Sequence, residues 1–215
     1  MKENAEERAH RSIVGLIMSN HYRPGDFLLE LEIASKLEMS RTPVSRALGR
    51  LVNEGFLHKI PKKGCFIPLP TPEDAEQVFS ARNAAESEAA ARAARLAGDE
   101  EVAALQEIVA KDMEAVQNRQ KDTFSRINEE FHLGIARISR NTYLEKWIKN
   151  IFWRSNIYIF YFDSFYKSTQ LDIPQKTPKQ HAAIVQAIAD HDPDAAARLM
   201  SEHINRTYEV LLLGR

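Results

Sequence analysis

Four side chains able to ligate a metal stand at spacings that a helical chain brings to one level: Asn128, His132, His181 and His203. Asn128 and His132 are four apart, so on a helix they share a face. His181 lies ten residues before His191 and His203 twelve after it, flanking the turn signal His191-Asp192-Pro193. At about 1.5 Å per residue each stands roughly 15–18 Å from that turn, and an antiparallel helix pair carries both to nearly the same height. Three imidazoles and an amide oxygen at one height make a site with open positions, suited to Zn²⁺ or Ni²⁺ rather than Mg²⁺. Spacing alone leaves a second reading standing, in which these histidines are hydrogen-bonded members of a core. Arg82 and Glu86, spaced i, i+4, read either as an anion clamp or as a solvated helix ion pair worth about 0.3–0.5 kcal/mol. Arg154, inside an aromatic run from Phe152 to Tyr166, is a further candidate anion contact.

A different chemistry is written between Met39 and Gly64. Six Lys/Arg stand against one acid, Glu54, from Arg41 to Lys63. Ser40 is a good helix cap, Pro43 suits a first turn, and Gly55 supplies a stop. Val44, Ala47, Leu48, Leu51 and Val52 form one apolar stripe. The opposite side presents Thr42, Ser45, Arg46, Gly49 and Asn53, small or cationic, a shape that fits the major groove of DNA. Arg50 joins the same basic set. Phe56–Ile60 and Cys65–Ile67 read as strands around a Pro61-Lys62-Lys63-Gly64 turn. Helices over 5–20 and about 30–37, the groove-fitting helix and this hairpin together predict a winged helix-turn-helix.

Beyond Pro68, Pro70 and Pro72 the pattern is helical almost throughout. Helices are predicted at about 72–97, 100–117, 122–139, 142–166, 178–190 and 193–212, opened by Thr71-Pro72, Asp122, Asn141, Thr177-Pro178 and Asp192-Pro193. The expected architecture is mainly α. A winged helix-turn-helix spans 1–70, and an antiparallel bundle of six to seven helices spans 71–215 and has an interior suited to a ligand. Residues 1–70 hold 11 Lys/Arg against 8 Asp/Glu, whereas the whole chain has net charge −1, so the basic head is joined to an acidic body. The single cysteine, Cys65, excludes an internal disulfide framework, suits a reducing cytosol and reads as an apolar filler. No stretch is apolar enough to span a membrane and no signal peptide is apparent, so the expected location is cytoplasmic. His10, His21, His58 and His191 fit no ligand geometry and read as surface or turn residues.

The run PG..L....IA..L..SRTPV..AL..L..EGF.....KKG.F resembles the DNA-binding domain of the GntR family of bacterial transcription regulators, over about residues 8–68. The resemblance implies that Arg41 reads a guanine, with Thr42 and Pro43 beside it, and that Gly64 is the wing glycine. Three positions depart from the family pattern: Leu31 and Ser45 replace arginines, and Glu38 replaces a turn glycine. Arg46 is about 100° further round its helix, so it does not substitute for the arginine missing at Ser45. The run N..FH with two histidines across a helical hairpin is similar to the FCD effector domain of FadR-like members, over about residues 72–213. That likeness implies a metal on Asn128, His132, His181 and His203, zinc or nickel, which helps hold a small carboxylate. It also implies that Arg82, of the family's Arg/Glu pair with Glu86, faces the cavity.

These readings converge on a ligand-responsive repressor that binds a palindromic double-stranded operator as a homodimer. Arg41 carries sequence discrimination, and Lys62 and Lys63 supply salt-sensitive phosphate contacts. One alternative is a direct metal sensor with no organic effector. A remote alternative is a three-histidine metal hydrolase with Glu129 as its base. The chain has no HExxH, nucleophile elbow or phosphate loop, so the expectation is that it is not an enzyme.

Overall fold

A computed structural model describes residues 4–19, 21–118, 121–161 and 172–213. The amino-terminal part runs α1 (Ala5–Met18), β1 (Phe27–Leu28), α2 (Glu30–Lys36), α3 (Arg41–Asn53), β2 (His58–Ile60) and β3 (Gly64–Phe66). The rest is helical: α4 (Pro72–Leu96), α5 (Asp99–Gln117), α6 (Lys121–Ile138), α7 (Thr142–Tyr161), α8 (Asp172–Ala189) and α9 (Pro193–Leu213). Two hydrophobic cores result, one drawn from residues 9–67 and one from residues 75–204. No helix among the described residues is long and apolar enough to cross a membrane.

The stripe on α3 packs as its spacing requires: Val44, Ala47, Leu48 and Leu51 are buried against Ile13, Ile17, Ile33 and Phe56. Gly55 follows with φ +77, the left-handed conformation that ends a helix cheaply only at glycine. Ser40 caps α3 by backbone position but makes no side-chain cap bond. The reason lies three residues on, where Pro43 occupies a position whose N–H would otherwise be the donor. Glu38 holds the inter-helix turn at φ 51. The left-handed turn is therefore kept without glycine, at about 1–2 kcal/mol of backbone strain. The wing has a third strand that the alternation pattern is too short to reveal: β1 pairs antiparallel with β3, giving the order β1-β3-β2. Gly64 has φ +112, where a side chain is strained whatever the space, and a Cβ there would also press on the Leu29 side chain at 3.3 Å.

In the bundle, Thr71 accepts from the Asp74 amide at 3.2 Å with Pro72 behind it, which starts α4 where the sequence predicts. Ala89, Ala90, Ala93 and Ala94 are buried on α4, and their small side chains let neighbouring helices approach closely. Ala97 is the C-cap of α4, and Gly98, the next residue, is the N-cap of α5. The predicted start of α8 at Thr177-Pro178 is corrected: the helix begins at Asp172 and carries Pro178 inside it. Proline there removes one backbone hydrogen bond from a helix that tertiary packing supports. The part of the aromatic run that falls in 162–171 lies outside the described residues.

One ion-pair group ties α1 to α3. His10 Nε2 lies 2.6 Å from Glu54 Oε2, and Arg50 Nε donates to Glu54 Oε1 at 2.8 Å. His10 is thus partly buried, not a surface residue, and Arg50 is turned back along its own helix. Burial pushes the Glu54 carboxyl up, but His10 and Arg50 outweigh it and the net shift is downward. A depressed carboxyl contributes stability above its unfolded value and loses it as pH falls through the folded one. Glu54→Gln is expected to cost about 1–3 kcal/mol at neutral pH in denaturant unfolding. The deficit should shrink as pH falls below the ordinary carboxylate range.

Candidate metal and effector site

The three histidines meet. His132 comes from α6, His181 from α8 and His203 from α9, and all are buried. One ligand atom from each lies within 4.8 Å of the others, and Nε2 of His181 is 3.4 Å from Nε2 of His203. The far side of each ring is backed by an oxygen. His181 Nδ1 lies 2.8 Å from Asp112 Oδ2, and His203 Nδ1 lies 3.1 Å from Gln180 Oε1. His132 Nδ1 sits 2.5 Å from Glu86 Oε2, a close polar contact without well-directed hydrogen-bond geometry. Outer acceptors of this kind fix ring orientation and leave the inner nitrogens free to ligate. Nε2 of His132 is buried with no hydrogen-bond partner among the described residues.

Burial lowers the His132 imidazole to about 4, with Glu86 opposing and Arg82 and His181 adding to the fall. Burial likewise holds His203 well below its ordinary value, helped by His181, His132 and Arg82. Both rings are therefore neutral at physiological pH, the form that binds a metal.

Arg82 and Glu86 are not a solvated pair. Each side chain is 2% exposed, and Arg82 Nε donates to Glu86 Oε1 at 2.6 Å. Arg82 Nη1 donates to Ser155 Oγ at 2.9 Å, and Ser155 donates on to the Phe152 carbonyl at 2.7 Å. Burial raises the Glu86 carboxyl, yet Arg82 and His132 more than reverse this and bring it to about 2.

Beside the histidines is a small cavity with free space of about 20 Å³, room for the centre of roughly one water. Arg82, Ser125, Asn128, His132, Asn156 and His203 line it, with Phe124 and Ile159 as its apolar walls. Of the residues expected here, Asn128, His132, His203 and Arg82 face this space. His181 touches it through His203. Glu86 stands behind His132 and Arg82, a support for the site and not part of its lining. The expectation for Arg154 is corrected: its Nε and Nη2 donate to Asp74 at 3.0 and 2.5 Å, where the two cores meet, and it does not line the cavity. Residues 154 and 156 are about 200° apart on a helix, so α7 cannot aim both inward. Glu129 does not line the cavity either.

Residues the spacing argument passes over are Asp112, Ser155, Asn156 and Gln180. A signal for the first three exists. Asp112 falls in register with Leu105, Ile108 and Val109, and Ser155 and Asn156 fall in register with Phe152 and Ile159. A polar residue in an apolar stripe is a buried one, and a buried one needs a partner. Nδ2 of Asn156 has none although the residue is 2% exposed, a deficit worth about 1–3 kcal/mol.

At the other end of the chain, Arg41, Thr42, Ser45 and Arg46 are exposed on one side of α3, with Lys62 and Lys63 exposed at the wing. Arg41 Nε donates to Glu30 Oε1 at 3.0 Å while its side chain remains 67% exposed. Cys65 is buried, and burial raises its thiol, with Glu30 adding and Lys59 opposing, so it is a filler and not a reactive centre.

Comparison with known proteins bears on both ends. Residues 5–67 match the family described as "Bacterial regulatory proteins, gntR family", and residues 77–206 match the FCD domain. The chain is 29% identical over 197 residues to the "Nta operon transcriptional regulator" of Aminobacter aminovorans, covering 92% of this chain and 90% of that one. It is 24% identical over 186 residues to the "HTH-type transcriptional repressor RspR" of Escherichia coli K12, covering 86% and 79%. Among solved structures, "E. coli McbR/YncC" superposes with a TM-score of 0.84 at 20% identity over 98% of each chain, which speaks to fold alone.

Removing one partner of the buried Arg82–Glu86 pair should be costly even though the intact pair brings little net stability. Glu86→Gln leaves Arg82 charged and short of a partner, and is expected to cost about 3–5 kcal/mol in denaturant unfolding. An Arg82→Met, Glu86→Leu double variant should lose less than the single one.

Proposed function

As this chain belongs to the gntR family of bacterial regulatory proteins and carries an FCD effector-binding domain, it is a DNA-binding transcriptional regulator, and we propose that a transition-metal ion together with a small carboxylate forms its switch. The observation that carries this reading is the convergence of three buried imidazoles, each backed by an outer oxygen, with the inner nitrogen of His132 left without a hydrogen-bond partner among the described residues. The donor set fits Zn²⁺ or Ni²⁺, which His132, His181 and His203 would hold with Asn128 beside them. Such an ion supplies a Lewis-acidic charge for a carboxylate oxygen. Arg82 supplies the second charge, and its hydrogen bond to Ser155 aims it at the cavity. A carboxylate effector is favoured over metal sensing alone because a buried arginine lines the site.

Helix α7 is the proposed route from pocket to DNA. It carries Asn156 at the cavity, Ser155 behind it on Arg82 and, one residue earlier, Arg154 clasped to Asp74 at the start of α4. Gly55, which ends α3, lies so near α7 that a Cβ there would be 3.6 Å from the Asn150 carbonyl oxygen. Any shift of α7 that follows ligand entry therefore bears on the end of the groove-fitting helix as well as on the Pro68–Pro72 junction. Two such heads in a homodimer read a palindromic operator, since one short helix makes too few contacts for specificity. Repression is the proposed direction of control, in keeping with the name of the relative RspR.

Two experiments test this. Zn²⁺ or Ni²⁺ added to chelator-treated protein is expected to raise Tm, organic acids to raise it further, and one such acid to alter operator affinity. Asp112→Asn, which weakens the backing of His181, should lower Zn²⁺ affinity by about 10–100-fold in chelator competition. A metal response with no acid response would favour the direct metal sensor. For the DNA face, Arg41→Ala is expected to reduce discrimination at one operator base pair by about 1–3 kcal/mol, while Lys62→Ala lowers affinity for all sequences and flattens its salt dependence.

A further inference from the structure

From Phe27 to Leu31 the chain carries more exposed apolar surface than its packing explains. Phe27, Leu29 and Leu31 are 39%, 47% and 69% exposed, while Leu28 is fully buried. Two of the exposed three have a packing duty. The Phe27 ring lies 5.5 Å from the Phe66 ring on β3, and the Leu29 side chain covers Gly64 of the wing. Leu31 has no comparable place. The buried residues of α2 are Ile33 and Ala34, so Leu31 stands outside the stripe that holds the helix to the core.

Its surroundings give it a direction. Glu30, the residue before it, accepts from Arg41 Nε at 3.0 Å, and Leu29, two before, reaches the wing. The first turn of α2 therefore lies between the two elements that carry the exposed cations, α3 with Arg41 and Arg46 and the wing with Lys62 and Lys63. A lone exposed leucine on an ordinary surface needs no account. Here it occupies a surface that meets a polyanion, where a basic residue would add affinity for every sequence and an apolar one adds none. The apolar group that the major groove displays is the C5-methyl of thymine.

We infer that Leu31 is a sequence-reading residue, which packs on a thymine methyl in the major groove close to the base pair that Arg41 reads. The two side chains divide the half-site: Arg41 selects by hydrogen bonds, Leu31 by burying a methyl. Cytosine in place of that thymine offers Leu31 no methyl and sets an amino donor against an apolar surface.

This inference rests on α3 being the groove helix with Arg41 at its reading end, and the test separates the two. An operator is selected from a random duplex library with the full-length protein. Each thymine of one half-site is then replaced in turn by dU, which removes the methyl and leaves the pairing edge unchanged. For the wild type, one such replacement is expected to weaken binding by about three- to fivefold, the worth of one buried methyl. In Leu31→Ala, which keeps a strong helix former at an exposed position, the same replacement should have no effect. Affinity of that variant for non-specific DNA, and its salt dependence, should match the wild type because no charge is lost. A repeated selection with Leu31→Arg should no longer return thymine at that position. No dU effect at any position, an effect of equal size in Leu31→Ala, or an unchanged site selected by Leu31→Arg overturns the role of Leu31. If Arg41→Ala still loses discrimination at its own base pair, Arg41 remains a reader when Leu31 fails. A dU effect that depends on Leu31, alongside unchanged discrimination in Arg41→Ala, removes Arg41 as reader and keeps Leu31.

Discussion

The arrangement on which the effector end depends is a polar chain sealed from water, running from charged Arg82 to charged Glu86 to neutral His132. Ion pairs in an interior bring little net stability, because the desolvation of each charge offsets most of their attraction. What such a pair does supply is position. Arg82 is held by Glu86 at 2.6 Å and by Ser155 at 2.9 Å, and it lies over the Phe152 ring at 5.0 Å. Its guanidinium is therefore fixed on three sides before any ligand arrives. Glu86, brought to about 2 by its neighbours, remains charged at any physiological pH and keeps an acceptor against His132. Residues from α4, α6 and α7 are thereby locked in one relative placement.

From that placement follows the character of the cavity. Its atoms in need of partners are an imidazole nitrogen and an amide nitrogen, and its one charged wall is cationic. An environment of this sort rejects hydrocarbons and rewards oxygen anions. The outer oxygens of Asp112 and Gln180 do for His181 and His203 what Glu86 does for His132, holding the rings so that their inner edges converge. The same helix that carries Ser155 and Asn156 inward turns Arg154 outward to Asp74, so the pocket and the domain junction share a rigid element. Coupling between distant sites needs such a shared element whose placement both ends can bias.

The DNA-reading end rests on simpler physics. An apolar stripe buries one side of α3 and thereby decides which side is presented, and the glycines at 55 and 64 occupy backbone conformations that other residues strain to reach. Arg41 on Glu30 is an exposed pair of small energetic weight, enough to orient a side chain that must release it for a base. Glu38 at φ 51 and Lys62 at φ 66 are non-glycines in the same left-handed region, Glu38 between two helices and Lys62 in the wing turn.

By itself the sequence determined what local spacing controls: helix faces, caps, the glycine stop of α3, the wing turn, and the common height of His181 and His203 about their turn. It determined these because a helical period turns residue number directly into direction and distance. Boundaries set by longer-range support were not legible, as at Pro178, which breaks a helix in isolation but is carried through by packing, or at β1, whose two residues become a strand only on meeting β3. Tertiary structure also decided which polar residues are partners. Asp112 is 69 residues from His181, Arg82 is 73 from Ser155 and Arg154 is 80 from Asp74. Such pairs form only when separate helices are laid side by side, and no period within one helix encodes the rotation of its neighbour.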